Sequence, residues 1–232
     1  MNKLLSMLTL QQQLNDATNG IGWEKGVTKH GKKINWRRCI TMESAEMIDS
    51  FGWKHWKSIA QPTDYANLQI EIVDVWHFVM SLVLEFTKAN GAEAVEDLAK
   101  RISDTPEYQK LNSEAPLPFG EDDVLMIKIE NVMRLSLIPV SPEMIGAMIE
   151  EFFELAYLGA LNTTQLYRLY VGKNILNQFR QDHGYKEGHY VKIWNGLEDN
   201  AVMKLSWENN PEMTPTELYS ALKTAYPSVI PD

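Results

Sequence analysis

The segment of residues 70–86, IEIVDVWHFVMSLVLEF, most constrains the fold of this chain. It is apolar on every face of a helix except one narrow stripe, and a helix of that kind is normally buried inside a protein. Asp64 is a candidate N-cap before it, and Asn90 followed by Gly91 is a natural C-terminal stop. We therefore predict a buried helix that begins soon after residue 64 and ends near residue 90.

Helical periodicity dominates the rest of the chain, and no convincing β-hairpin, internal repeat or low-complexity tract interrupts it. We predict a first helix that ends near residues 16–20, further helices over 36–51, 121–138, 142–158 and 163–182, and a last short helix opened by the capping box TPTE at 214–217. The main irregular segments are 18–35, 103–120 and 183–196. The predicted fold is an all-α helical bundle in one domain over residues 1–232, with a more mobile insert around 92–120.

The composition excludes several classes of protein. The chain has 232 residues, of which 44% are hydrophobic and 23% charged, as is ordinary for a soluble globular protein. A formal net charge of -9 argues against a general binder of nucleic acid or membrane surfaces, and charges interrupt every apolar run before it is long enough to span a membrane. No N-terminal signal peptide stands out, and one cysteine, Cys39, fits a reducing compartment. We expect a cytoplasmic protein with no nucleic-acid or membrane partner.

Two neighbouring predicted helices each carry a pair of acids three residues apart. On residues 70–86 the stripe consists of Glu71, Asp74, Phe78, Ser81 and Glu85, and on residues 36–51 Glu43 and Glu46 share one face. Carboxylates enclosed together in a core repel one another and lose hydration, which is costly unless a cation neutralises them. All-oxygen ligands suit Mg²⁺, Mn²⁺ or Ca²⁺, and the absence of His and Cys argues against zinc. The two pairs together predict a divalent metal site, whereas one pair alone would indicate helix acids that face water.

Residues 168–192 carry five Lys or Arg side chains against two acids, a local charge of +3 in a protein of net charge -9. Two glycines in GYKEGHYVK allow the backbone to fold tightly, and Lys186 and Lys192 flank them. Such a loop is suited to closing over phosphates, although a solvated basic face explains the charges equally well by itself. Beside a metal site the phosphate interpretation is favoured, because metal and cations around phosphate are what phosphoryl transfer requires.

Four blocks of the sequence resemble the dimeric, all-α dUTPases of some bacteria, phages and trypanosomatids. They are LQQQLND, WRRCITMESAEMIDSFGWKHWK, EIVDVWHF and FRQDHGYKEGHYVKIWNGLEDN, in order from end to end. The E-x-x-E and E-x-x-D pattern is shared with the wider all-α NTP pyrophosphatase superfamily, whereas GWKHWK and GYKEGHYVKIWNG are more specific to the dUTPase branch. The resemblance implies the all-α NTP pyrophosphatase bundle, a homodimer, and hydrolysis of dUTP, and also of dUDP, to dUMP with Mg²⁺, for which Mn²⁺ is a possible substitute.

The same resemblance implies a role for individual residues. Glu43, Glu46, Glu71 and Asp74 would bind Mg²⁺, and Glu43 would also orient and deprotonate the attacking water. Gln11 or Gln12, with Asn15, would read the uracil edge, and Phe78 would pack against deoxyribose. Trp53 and Trp56 are candidates to stack on the base, although a pair at this spacing is equally typical of a core. The phosphates and sugar would be held by Lys173, Asn177, Arg180, Tyr185, Lys186 and Lys192, with Asn200 as a further candidate.

Other functions remain open at this point. A relative that prefers dCTP or accepts NTPs broadly would use the same amides, because an amide side chain reads uracil or cytosine after a flip. A non-catalytic helical module that binds a structural cation would carry the same acids. A di-iron carboxylate bundle is disfavoured because the acidic helices lack the E-x-x-H elements that it needs. We interpret His77 as a hydrogen-bonded core histidine and Cys39 as a buried structural thiol.

Overall fold

The computed structural model of the protein describes residues 2–57, 61–91, 93–210 and 213–227. The prediction of an all-α fold is confirmed. The helices within these ranges are α1 (Lys3–Asn19), α2 (Trp36–Ile48), α3 (Tyr65–Ala89), α4 (Val95–Ser103), α5 (Pro106–Lys110), α6 (Asp122–Leu137), α7 (Pro142–Leu158), α8 (Thr163–Asp182), α9 (Asp199–Asn209) and α10 (Pro215–Ala225), with a 3₁₀ turn over Trp23–Lys25 and two short strands, β1 (Ile193–Trp194) and β2 (Leu197–Glu198). None of the described helices is long and apolar enough to cross a membrane.

The chain divides into two compact units, residues 1–167 and 168–232, and the division falls inside α8. The first unit is built around α3, which packs against α1, α2 and α7, while α2 also packs against α6. The ring of Trp76 on α3 stacks on Phe152 of α7 at a centroid distance of 4.5 Å. The predicted buried helix is therefore confirmed, since most side chains from Leu68 to Leu84 are withdrawn from water.

The second unit has an aromatic core around Phe179 of α8. Trp194, Tyr219 and Tyr226 place their ring centroids 5.6, 5.3 and 5.4 Å from that of Phe179. Helices α9 and α10 pack against each other beside the short strands. Each unit therefore has apolar packing of its own, and the prediction of a single domain over residues 1–232 stays a prediction.

The helix caps that the sequence indicates are present. The Asp64 side chain accepts a hydrogen bond from the amide of Asn67, and the Ser141 hydroxyl accepts one from the amide of Met144, just before Pro142 opens α7. The capping box is complete, because the Thr214 hydroxyl and the Glu217 carboxylate each accept from the other's backbone amide. These caps satisfy amides that the first helical turn leaves without a partner.

One predicted helix boundary was wrong, and one helix was missed. Helix α2 ends at Ile48 rather than at residue 51, and the chain then turns so closely that a Cβ on Gly52 would stand 2.3 Å from the carbonyl oxygen of Gln61. Helix α9 was missed, because its short, mixed sequence has neither a strong apolar stripe nor a capping side chain. Residues 92–120 hold α4 and α5, and α4 buries Leu98 and Ile102. The mobility of that segment stays a prediction.

The prediction of no β-hairpin was also wrong. Strands β1 and β2 pair antiparallel through Trp194 and Leu197, and the turn between them is Asn195–Gly196. Both turn residues have positive φ, 50° and 86°, as the tight hairpin turns favoured by Asn-Gly require. The dipeptide was the available signal, but strands of two residues show no alternation by which a sequence would reveal them.

Candidate active site

The carboxylates of Glu43, Glu46 and Glu71 lie together where α2 packs against α3. One carboxylate oxygen from each of the three residues lies within 4.8 Å of the others. The spacing of three along α2 puts Glu43 and Glu46 on one face, and the close packing of the two helices brings Glu71 to them. We call these three residues the carboxylate trio. Their oxygens are close enough together for one hard cation to contact all three.

Asp74 lies three residues after Glu71 on α3 and is outside the trio. The argument from sequence assumed that all four acids are enclosed in the core, and this was wrong. Glu46 is exposed, while Glu43, Glu71 and Asp74 are half-buried. Periodicity identifies which residues share a stripe but does not say how deep the stripe lies. Water reaches this one, so hydration of the charges reduces the cost of holding them together.

Cys39 precedes Glu43 by one turn of α2 and is half-buried. Burial, and then the negative charge of Glu43, raise the pKa of its thiol. A thiol that stays protonated is a poor nucleophile. The prediction that Cys39 is buried was therefore wrong, whereas its interpretation as a structural thiol rather than a nucleophile agrees with the raised pKa.

The proposed base-reading amides lie on α1 and are almost fully buried, Gln11 being 2% and Asn15 3% exposed. The two side chains hydrogen-bond to each other and to Ser81 of α3, and the Gln11 carbonyl oxygen lies 2.8 Å from Nδ1 of His77. The interpretation of His77 as a hydrogen-bonded core histidine is thereby confirmed. A base would reach these amides only after a movement that uncovers them.

Gln12 lies on a different side of α1. Its amide nitrogen is 3.1 Å from carboxylate oxygens of both Asp16 and Glu24. The structure therefore separates the two glutamines that the sequence left as alternatives, and it groups Gln11 with Asn15.

The ring of Phe78 lies one turn beyond Asp74 on α3 and is half-buried. It stacks against Trp36, the first residue of α2, with ring centroids 6.1 Å apart and planes inclined by 28°. Trp36 in turn packs edge-on against Trp23 at 5.5 Å. Trp36, backed by Trp23, therefore holds the Phe78 ring in place one turn from Asp74 on α3.

Trp53 and Trp56 follow α2 and are 40% and 62% exposed. Their rings meet edge to face at 5.3 Å, and Lys54 lies 5.4 Å from the Trp53 ring while it pairs with Asp49 at 2.8 Å. These exposures exclude the alternative that the two tryptophans form part of the core. Exposed indole rings are surfaces on which a base can stack.

Two basic residues of the second unit, Arg180 and Lys173, are held by hydrogen bonds. Arg180 makes two hydrogen bonds to the Asp199 carboxylate, at 2.9 and 2.8 Å, and a third to Asn177 at 3.2 Å. Lys173 donates to the Asn200 side chain at 2.9 Å. Asp199 is the member that sequence reasoning missed, because an isolated aspartate has no spacing motif that would identify it.

Asp199 keeps its negative charge despite being buried. Burial by itself raises the pKa of this carboxyl, but hydrogen bonds and charge from Arg180 and a hydrogen bond from Tyr190 outweigh it, so the pKa is lowered. The same contacts act on Tyr190, where burial and the bond to Asp199 raise the pKa of the hydroxyl. The Arg180–Asp199 pair is therefore ionised on both sides and fixes the guanidinium in one orientation.

The loop that follows α8 exposes Tyr185, Lys186 and Lys192 to solvent. Gly184 and Gly188 have φ values of 82° and 79°, in the left-handed region that favours glycine. The sequence argument that these glycines allow a tight fold is confirmed. Binding of phosphate by the exposed lysines stays a prediction.

The first unit of this all-α fold presents glutamates from two packed helices and buried amides on a third, which is the arrangement expected of a nucleotide hydrolase of the all-α class. A family model described as dUTPase matches residues 3–185. The chain belongs to this family, the all-α dUTPases, and the resemblance given by the sequence is confirmed. It is an enzyme of the dUTP diphosphatase kind with a nucleotide substrate. No curated protein matches the chain.

Proposed function

We propose that the protein hydrolyses dUTP to dUMP and pyrophosphate with Mg²⁺ held by Glu43, Glu46 and Glu71, and with Asp74 as a further ligand. Hydrolysis of dUTP follows from family membership, and the carboxylate trio is the observation that carries the rest. Three oxygen donors without His or Cys fit a hard divalent cation, Mg²⁺ first and Mn²⁺ as a substitute. When bound, the cation would neutralise charge on the phosphate oxygens.

We assign to Glu43 the role of orienting and deprotonating the attacking water. It is half-buried and on the same face as Glu46, so the helix holds it in place while the residue stays partly exposed to water. A carboxylate in this position accepts a proton from a water molecule and orients that water so that its oxygen attacks phosphorus. We propose attack at the β-phosphorus, which does not require the γ-phosphate, so dUDP is also converted to dUMP.

Hydrolysis in ¹⁸O-labelled water tests the position of attack. We expect the label in pyrophosphate when dUTP is the substrate and in inorganic phosphate when dUDP is. In-line displacement fixes one phosphorus for a nucleophile held in one place. Label in dUMP would show attack at the α-phosphorus and would contradict the proposal.

The phosphates and sugar are assigned to Lys173, Asn177, Arg180, Tyr185, Lys186, Lys192 and Asn200. Support comes from the positive charge of this segment and from the exposure of Lys186 in a glycine-flanked loop. We expect Lys186→Ala to raise the KM for dUTP and lower kcat while the melting temperature stays unchanged, because the side chain is outside the core. Lys223→Ala, at an exposed lysine of α10, is the matched control, and equal kinetics in both variants would remove Lys186 from the site.

For the base we assign Gln11 and Asn15, with Gln12 as the weaker glutamine, and Trp53 or Trp56 as the stacking surface. Gln11 and Asn15 share one polar network, whereas Gln12 pairs with acids elsewhere. Phe78 is assigned to deoxyribose because Trp36 holds its ring beside the acids of α3.

We also propose that the protein works as a homodimer in the cytoplasm. Exposed apolar side chains lie on α6 and just beyond it, namely Val124, Ile127, Leu137, Ile138 and Val140. We call these five residues the α6 patch. Exposed apolar side chains of this kind are suited to a contact between two copies, where burial removes them from water.

One experiment separates the proposed function from its alternatives. We would measure product release from dUTP, dCTP, dTTP and UTP with Mg²⁺, with Mn²⁺ and with a chelator. We expect dUTP to be turned over far faster than the others and only when metal is present. A preference for dCTP, or equal rates, would indicate a relative with another specificity, and no turnover of any nucleotide would indicate a non-catalytic metal-binding module.

A further inference from the structure

Four side chains of α1 and α3, those of Gln11, Asn15, His77 and Ser81, are joined by hydrogen bonds in the first unit. Ser81 Oγ donates to the backbone carbonyl of His77 at 2.8 Å and lies 3.0 Å from Nε2 of Gln11 and 2.9 Å from Nδ2 of Asn15. Gln11 Nε2 is 3.1 Å from Oδ1 of Asn15, and His77 Nδ1 is 2.8 Å from Oε1 of Gln11. All four are less than 5% exposed, so these contacts persist in place of bonds to water.

The backbone carbonyl of His77 fixes the direction of every bond in the set. A carbonyl only accepts, so the single hydroxyl proton of Ser81 is directed to it. Ser81 must then accept from its other two neighbours. The atoms that Gln11 and Asn15 turn toward Ser81 are therefore their NH₂ groups, and neither amide is free to flip without placing two acceptors face to face.

The same reasoning determines the proton on His77. With its NH₂ group toward Ser81, Gln11 turns its carbonyl oxygen toward Nδ1 of His77. That nitrogen must carry a proton to donate, whichever charge state the ring has. The orientation of Gln11 and the tautomer of His77 are thus consequences of one hydroxyl group on Ser81.

We propose that Ser81 is a positioning residue that sets the base preference of the enzyme by fixing the amide orientations of Gln11 and Asn15. This inference rests on the proposed function. One N–H of Asn15 bonds to Ser81, and an NH₂ group has a second N–H, which we assign as the donor to the base. Uracil offers carbonyl acceptors at both C2 and C4, whereas cytosine carries an amino donor at C4, which would face this N–H.

The network therefore removes the ambiguity that two amides have by themselves. A freely rotating amide presents a donor or an acceptor at little cost and accepts uracil and cytosine alike. Here the choice is made before a base arrives, since the orientation is held by buried partners rather than by the ligand. To bind cytosine, the Asn15 amide would have to flip, and its oxygen would then face the Ser81 oxygen, so that two buried acceptors would stand against each other.

Kinetics of three serine variants test the proposal. We expect Ser81→Ala to lower the ratio of kcat/KM for dUTP to that for dCTP by about tenfold or more, because the amides are then free to flip. Ser81→Thr keeps the hydroxyl and should restore the ratio. Ser136→Ala is the control, since Ser136 is another buried helical serine that donates to a backbone carbonyl, here that of Met133 at 2.7 Å. It should lower stability and leave the ratio unchanged.

A second measurement does not depend on turnover or on a variant that folds. Nitrogen NMR of the imidazole in the wild-type protein should show a proton on Nδ1 of His77. An unprotonated Nδ1, a folded Ser81→Ala variant with the wild-type ratio, or a Thr variant as undiscriminating as the Ala variant would each overturn the proposal. If the wild-type protein does not hydrolyse dUTP, the proposed function fails, whereas the state of His77 still reports on the network.

Discussion

Glu46 is the most exposed member of the carboxylate trio, so its replacement perturbs the core least. We expect Glu46→Ala to reduce dUTP turnover by about 100-fold or more, because the cation loses a ligand and a neutralising charge. Calorimetric titration with Mg²⁺ should show weaker binding, while the melting temperature without metal stays the same or rises as like charges separate. Glu130→Ala, at an exposed glutamate of α6, is the control. Full activity and unchanged Mg²⁺ affinity in Glu46→Ala would contradict the metal site.

Phe78 is expected to act as a sugar filter. If its ring occupies the space beside the 2′-carbon, a ribose hydroxyl is either crowded or buried without a partner, at a cost of about 1–3 kcal/mol. Phe78→Ala should therefore narrow the preference for dUTP over UTP while overall activity falls. The kcat/KM ratio of the two substrates measures it, and Phe86→Ala, at a half-buried ring further along α3, is the control. A ratio that stays as in the wild type would place sugar discrimination elsewhere.

Single residues also show the limit of sequence reasoning about the site. The three-residue spacings of Glu43 with Glu46 and of Glu71 with Asp74 were sufficient to indicate acids on two helices. Residues that share a face of a helix recur at a fixed period, and this period can be recognised in the sequence. The separation of Gln11 from Gln12 was not readable, since both are polar positions on one helix and only contact with α3 distinguishes them. Ser81 lay on the stripe identified from the sequence, but no sequence motif indicates to which group a serine hydroxyl donates its proton.

At the scale of secondary structure, α3 carries a carboxylate whose state changes near neutral pH. Burial, and then the charge of Glu24 in the 3₁₀ turn, raise the pKa of Glu85 from 4.5 to about 7. Between these two pH values the folded state holds a proton that the unfolded chain releases. The stabilising contribution is therefore complete below the unfolded pKa of 4.5 and is lost as the pH rises through 7.

We expect Glu85→Gln to remove this loss of stability at high pH, because an amide does not ionise. The melting temperature of the variant, relative to the wild type, should be higher at about pH 8 than at about pH 5. Thermal unfolding of both proteins over this range measures the difference. Glu150→Gln, at an exposed glutamate of α7, should shift the melting temperature equally at both pH values. A difference between wild type and Glu85→Gln that does not vary with pH would show that Glu85 is ionised in the folded protein.

The helices themselves were predictable in proportion to how apolar and how long they are. α3, α7 and α8 have bounds close to those predicted, and α3 and α7 each combine a strongly apolar face with a capping side chain. α9 and the β1–β2 hairpin were missed, since one has a weak stripe and the other has strands of two residues. In these short elements tertiary packing, rather than local preference, decides the structure.

At the scale of the whole molecule, the α6 patch predicts a dimer. We expect the wild-type protein to have twice the mass of one chain in light scattering coupled to size-exclusion chromatography. Ile127→Glu should shift the protein toward the monomer, because it places a charge in the proposed apolar contact. Ile21→Glu changes an even more exposed apolar residue, 96% against 55%, outside the patch, and should leave the mass unchanged. A wild-type monomer, or a dimer that survives Ile127→Glu, would remove the patch from the interface.

Helix α3 carries both Glu71 of the trio and Ser81, the partner of the proposed base-reading amides. Ten residues separate them, and an α-helix rises 1.5 Å per residue, so the two positions are held about 15 Å apart along one axis. Under the proposed function, the helix therefore acts as a ruler that sets the distance between the end of the nucleotide that reacts and the end that is recognised. A ruler made in this way cannot be lengthened by one residue without also turning by about 100°, which would point Ser81 away from Gln11. Each added or removed residue changes both the distance and the orientation, so this stretch of α3 should tolerate substitutions far better than insertions or deletions.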